Sequence, residues 1–458
     1  MFHYFGKRGK MKEISDLKHA KVKLKSGGEI IVLNTGAVID AEAEAMLQAL
    51  HSRSTGGLMS HLEVLAVKGP ANFMKNFYVG YGHKSIGDCG TGTIFIEGVS
   101  MLAAKAIQDN QLYSGQESST RYIDFSKQLL IDPTKSSAGK EVLEMQRQFY
   151  MSAQELARKE LEAKYQKKYD EDGKIYQKAI NARAFDITRS LFPAGASTNL
   201  AWHTNLRQAA DKLLFLRHHP LQEVREISEG IETGLRERFQ NSFGHKKYES
   251  TEEYQDLIAD NYLYHNPESP LKPIVDFGKI DRKEIERHRE LFDKRPEWTE
   301  LPKYLGQAGI LDVQFQLDFG SFRDIQRHRA IIQRMPLLTS ELGFNQWYIE
   351  NLPEKIREKL PQHLDDINNK INSFEISKEE AQYFLPMGYN ISNRFTGDLP
   401  ATIYMVERRA RNDVHPTLQY VAHDIGNQIK ENLGIPIYMD KEPSRFDIKR
   451  GKQDIVLK

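Results

Sequence analysis

Three side chains that can carry positive charge stand side by side at Arg327, His328 and Arg329, and an apolar run follows them. Three potential cations in a row are costly beside so much Ile, Leu and Met, unless they hold an anion. Arginine forks bind phosphate oxygens bidentately and keep their charge at any working pH. An imidazole between them can stack on a ring or donate to it, and can also neutralise charge. The tripeptide therefore reads as part of an anion site. A second part stands at Ser114, Glu117, Ser119, Arg121 and Tyr122. Ser-x-Arg at the end of a loop offers a hydroxyl, backbone N–H groups and a guanidinium to one phosphate. That suits a nucleoside monophosphate better than a duplex, which needs many spread cations.

The elements that must position these residues recur along the chain. Leu311–Ala330 has the strand-then-helix pattern of Thr93–Gln111. Leu191–Arg207 resembles Phe384–Pro400, and both lead through a helical segment to a histidine-proline step, at His219 and at His415. An internal duplication accounts for this parallel layout, with units far longer than a solenoid repeat. Aligning the copies places Asp109, Asn110 and Gln111 opposite Arg327, His328 and Arg329.

Counted from Asp109, Ser114, Ser119, Arg121 and Tyr122 fill the back half of the pattern R-H-R-x-x-S-x-x-x-x-S-x-R-Y. The chain here resembles the flavin-dependent thymidylate synthase family, whose signature this is. The second copy has the front half, with Ile332, Leu337, Thr339 and Ser340 at its back-half places. Each copy thus carries half a signature. Other segments are similar to the family as well: Gly82–Ser85 with His83, Asp186–Pro193 with Arg189, Thr204–Arg207 with Asn205 and Arg207, and Leu216-Arg217 followed by Leu221–Arg225. In the second copy Gln382 stands at the place of Arg189, and Pro400 at that of Arg207.

The resemblance implies FAD as cofactor, held by Arg327, His328, Arg329, His83, Asn205 and Arg207. It implies dUMP bound through Ser114, Glu117, Ser119, Arg121 and Arg189, with Arg217 as the catalytic arginine on the base. Methylenetetrahydrofolate would supply the one-carbon unit and NADPH the electrons, giving dTMP. A homodimer of tandem chains would stand in for the family's homotetramer. A non-catalytic nucleotide- or flavin-binding scaffold is the other reading open at this point, as is a flavoenzyme alkylating another pyrimidine nucleotide.

The fold implied is α+β, two tandem copies of a sheet flanked by long helices. The expected layout is a basic tail at 1–28, a first copy at 29–240, a connecting segment at 241–300, a second copy at 301–440 and a tail at 441–458. The 64 Lys and Arg balance 63 Asp and Glu, giving a net charge of +1, so no global field draws the chain to nucleic acid or to a membrane surface. The apolar-looking run 94–107 contains Glu97, Gly98 and Lys105 and does not span a bilayer. The tail lacks the apolar stretch of a secretory signal, and a cytoplasmic location is expected. The single cysteine, Cys89, excludes an intrachain disulfide framework and reads as a buried thiol. His218 and His219 read as structural, with no further ligand at metal-binding spacing.

Overall fold

The computed structural model describes residues 19–33, 39–52, 58–80, 82–118 and 125–441. The principal elements begin with β1 (His19–Lys23), β2 (Glu29–Leu33) and α1 (Ala41–His51). Asp40 caps α1 by accepting from the Ala43 amide at 3.0 Å, as its place before an apolar-periodic run predicts. Next come β3 (Thr91–Ser100), α2 (Met101–Gln108), β4 (Ser114–Glu117), α3 (Ser137–Lys164) and α4 (Gly173–Thr188). They are followed by β5 (Ser197–Asn205), α5 (Leu206–Leu216), α6 (Gln222–Arg238) and α7 (Glu249–Asn261). The remainder contains β6 (Ile274–Asp276), β7 (Ile310–Asp318), α8 (Phe319–Ile325), β8 (Ile332–Gln333) and α9 (Glu354–Asn372). It closes with β9 (Asn390–Asp398), α10 (Leu399–Arg409) and α11 (Pro416–Leu433). The mixture of helix and sheet agrees with the α+β expectation.

The chain divides into two compact units that do not follow its order. The first takes Met1–Val99, Leu112–Ser118 and Thr198–Asp260; the second takes Ser100–Gln111, Ser119–Ser197 and Asn261–Lys458. In the first unit a sheet runs β1-β2-β3-β5-β4. Ile30, Val32, Ile94 and Ile96 point inward from alternate positions, the period of a half-buried sheet. Helix α6 covers β1 and β2 closely because Gly234 carries no Cβ, which would lie 2.8 Å from Val32.

The second unit holds a sheet in the order β6-β7-β9-β8. Its core joins Leu311, Val313, Phe315 and Leu317 of β7 to Ile403 and Val406 of α10 and to Leu418 and Ile425 of α11. The segment 241–300, expected as a connector, adds Val275, Ile285 and Phe292 to that core. In the same unit the stretch Ser190–Gly195 lies antiparallel to Tyr383–Gly388. Ala194 N donates to Leu385 O at 3.0 Å and Met387 N to Phe192 O at 2.9 Å. Gly195 N donates to Tyr383 O at 2.9 Å, and Gly388 N to Ser190 O at 2.8 Å. Pro193 faces Pro386 at the centre.

Candidate active site

Helix α8 ends at Ile325, so Arg327, His328 and Arg329 stand on the turn beyond it and not within the helix that the sequence pattern suggested. Asp318 starts α8, its side chain accepting from the Ser321 amide at 2.8 Å. Arg327 and Arg329 are exposed. Arg327 has a loose ion pair with Asp324, 3.7 Å away. The imidazole between them faces the other way. His328 Nε2 accepts from Arg409 Nε at 2.7 Å, and Arg409 Nη2 donates to Asp324 O at 2.6 Å. Burial, and then the neighbouring Arg409, push the His328 pKa down to about 3. The expectation that this imidazole neutralises an anion is thereby corrected: it is neutral, and its lone pair orients Arg409. Two exposed guanidinium groups on one turn remain, a donor set that fits a pyrophosphate.

Arg189 is turned inward. Its Nε donates to Tyr348 Oη at 2.9 Å and its Nη2 to Ser321 Oγ at 2.7 Å, with Asp318 Oδ2 at 3.8 Å. Tyr348 in turn donates to Asp318 Oδ2 at 3.0 Å. Burial raises the Asp318 pKa above its ordinary range, with Arg189 opposing that rise. Burial on its own would lower the Arg189 pKa, but Tyr348 and Asp318 outweigh it and the group stays cationic. The network continues from Ser321 Oγ to Thr417 Oγ1 at 2.7 Å and on to His415 Nδ1 at 2.9 Å. His415 Nε2 lies 3.1 Å from Asp186 O; a carbonyl only accepts, so this nitrogen donates. Gln382, which the sequence alignment expects opposite Arg189, accepts at Oε1 from Leu338 N and donates from Nε2 to Glu379 O, each at 3.0 Å.

Ser114, Glu117, His83, Asn205, Arg207 and Arg217 lie in the first unit. Ser114 and Glu117 are on β4, paired with β5 opposite His203 and Leu200. Asn205 caps α5, its side chain accepting from Gln208 N at 2.8 Å. Arg207 Nε donates to Asp88 Oδ1 at 2.7 Å. His83 is exposed at the start of the turn Lys84–Gly87. Ser119 and Arg121 lie outside the described residues. The cofactor residues foreseen from sequence are therefore divided between the units, with His83, Asn205 and Arg207 in one and Arg327–Arg329 in the other.

Arg217, at the end of α5, is engaged by a carboxylate that sequence reasoning missed. Its Nε donates to Glu252 Oε2 at 2.7 Å and its Nη2 to Glu252 Oε1. His218 Nε2 lies 2.8 Å from Glu252 Oε2, and its Nδ1 lies 2.5 Å from Asp256 Oδ1. The Arg217 hydrogen bond is the largest cause holding the Glu252 pKa down at about 2. The i, i+4 spacing of Glu252 and Asp256 marks one face of α7, but nothing in the sequence says what that face meets. Carboxylates thus do reach His218, although no group of three metal-ligating side chains forms among the described residues. His219 is buried and neutral, its pKa pushed down to about 3 by desolvation first. Cys89 is half-buried, less enclosed than expected, with Sγ 3.6 Å from Ser85 O. Among the described residues no helix is long and apolar enough to cross a membrane.

Residues 37–239 match the family model described as thymidylate synthase complementing protein. That segment belongs to this family. The family points to a thymidylate synthase-related role. The chain is also 25% identical over 422 residues to a UPF0159 protein of Chlamydia muridarum, covering 80% of this chain and 79% of the relative. A UPF0159 protein of Chlamydia pneumoniae is 24% identical over 421 residues, covering 79% of each chain. One from Thermoplasma acidophilum is 24% identical over 435 residues, covering 78% of this chain and 86% of its own. All three similarities extend well beyond residues 37–239.

Proposed function

We propose that the chain is a flavin-dependent enzyme that methylates C5 of dUMP to give dTMP, with methylenetetrahydrofolate as carbon donor and NADPH as reductant. The observation that carries this reading is the split signature, half of it inside the segment that matches the family and half at Arg327–Arg329. Tandem duplication is part of the proposal, and strand register supports it. Ser114 pairs with His203 and Ile332 with Thr396. These are the pairs an alignment of Asp109 with Arg327 and of Pro193 with Pro386 requires. The reciprocal hydrogen bonds around Pro193 and Pro386 have the form of a two-fold contact, with Pro193 meeting its own counterpart at the centre and each flanking bond matched by an equivalent one on the other side.

In this reading Arg327 and Arg329 hold the FAD pyrophosphate, with His83, Asn205 and Arg207 as further contacts. When bound, the flavin supplies the reduction of the transferred one-carbon unit. Ser119 and Arg121, helped by Ser114, Glu117 and Arg189, hold the nucleotide phosphate. Arg217 stabilises negative charge developing on the uracil edge. That task requires Arg217 to part from Glu252.

A second reading is favoured by the same ion pair. With Arg217 bound to Glu252 and Arg189 turned into a buried network, the chain would bind nucleotide or flavin as a scaffold without turnover. Purified protein that carries flavin absorbance and rescues a thymidine auxotroph establishes the enzyme. Flavin without rescue leaves the scaffold or a flavoenzyme acting on another pyrimidine nucleotide. Absence of flavin under saturating FAD removes every flavin-dependent reading and leaves a nucleotide-binding scaffold alone.

A further inference from the structure

Between the segment Arg295–Leu301 and helix α10 lies a cavity of about 210 Å³. That is below the roughly 300–1,000 Å³ of most small-molecule clefts and suits a compact planar ring system. Leu301 and Ile403 give it apolar lining, and Trp298 and Tyr404 bring exposed rings to it. Trp298 is 67% exposed and sits at φ 69°, a left-handed conformation costly for a residue with a Cβ. One partner holding it there is Arg411, whose guanidinium lies 3.8 Å from the ring centroid. Only one face of the indole can be occupied in that way.

The charges of the wall are mostly matched internally. Arg295 Nη1 and Nη2 meet Glu407 Oε2 and Oε1 at 2.9 and 2.5 Å. Arg411 Nη1 donates to Glu297 Oε1 at 2.8 Å and lies 3.3 Å from Asp440 Oδ1. Arg408 and Glu300 differ from these: both line the cavity, both are exposed, and neither is paired among the described residues. The opening thus offers an unspent cation, an unspent carboxylate and a flat aromatic face. A ligand that uses all three is planar, carries ring N–H donors for the carboxylate and bears an anionic group for the arginine.

We propose that this cavity binds a purine nucleoside monophosphate, its ring stacked on Trp298 and its phosphate at Arg408. The purine fills a space that a single pyrimidine ring would leave partly empty and stacks over more of the indole. A carboxylate takes two adjacent N–H donors better than one, so guanine is preferred to adenine. This site is separate from the one proposed for dUMP and does not depend on that reading.

The chain contains three tryptophans; Trp202 is buried, Trp347 half-buried and Trp298 exposed, so the part of a nucleotide quench that is lost in Trp298→Phe reports on Trp298. Titration with GMP should quench emission saturably, AMP more weakly, and UMP and inorganic phosphate little. Arg408→Ala should weaken GMP about tenfold, the loss expected for one charge-assisted contact. Glu300→Gln should narrow the difference between GMP and AMP. Trp298→Phe should remove the quench and weaken GMP in calorimetry. The proposal is overturned if neither purine nucleotide saturates, if phosphate alone quenches as strongly as GMP, or if Arg408→Ala titrates like the parent. Heat of GMP binding undiminished in Trp298→Phe would also overturn it.

Discussion

At the scale of single residues, the Arg-His-Arg turn separates two tasks that its sequence runs together. Arg327 and Arg329 face outward, whereas His328 is an internal acceptor for Arg409. Replacing both arginines by alanine should release flavin without unfolding the chain. The loss of two charge-assisted contacts corresponds to roughly 3 kcal/mol or more of cofactor binding. Full flavin occupancy in the double variant would exclude the assignment. The histidine makes a pH prediction of its own. Its folded pKa of about 3 lies below the ordinary 6.5, so the unfolded chain binds the proton more readily. The stability tied to neutral His328 is therefore complete above about pH 6.5 and declines as pH falls toward 3. Its ring resonances should stay unshifted down to about pH 4, and titration near 6.5 would contradict the burial described here. The presence of Arg-His-Arg was legible in the sequence. The direction of its middle side chain was not, because Arg409 comes from a helix some eighty residues further on.

At the scale of elements, strands and caps were the legible part. α1 with its Asp40 cap, and β3 with the helix α2 after it, stand close to where capping and periodicity put them. What α7 touches was not legible. Its Glu252 and Asp256 meet Arg217 and His218 across more than thirty residues, and a one-dimensional pattern carries no sign of that docking. Glu252→Gln should loosen α7 and free Arg217, tightening dUMP binding if Arg217 addresses the base; unchanged or weaker binding would remove Arg217 from that role. The same variant tests the electrostatics. The Glu252 pKa is depressed from 4.5 to about 2, so its contribution is present above about pH 4.5 and fades as pH falls toward 2. Acid unfolding of Glu252→Gln should lack the part of the transition that lies in that window.

At the scale of the whole molecule, repeated motifs point to the tandem layout that is part of the proposal, while the interleaving of the chain between two units was not legible. Linear segmentation assigns 29–240 to one body, yet 100–111 and most of 119–197 belong with the C-terminal residues. If the two half-signatures complete one site, flavin should saturate at one per chain, and two per chain would refute that arrangement. Arg121→Ala and Arg327→Ala chains, each inactive alone, should regain activity on mixing if the halves come from different chains; no recovery would place both halves in one chain. The pairing at Pro193 and Pro386 has a further consequence, for severed chains. Its partners are 193 residues apart, and closing so long a loop costs several kcal/mol of chain entropy, by an estimate of about (3/2)RT ln n. Covalent linkage keeps each strip at a high effective concentration for the other. Cut the chain between them and each fragment keeps an edge that accepts either its former partner or a second copy of itself, so dilution and mixing ratio would decide which dimer forms.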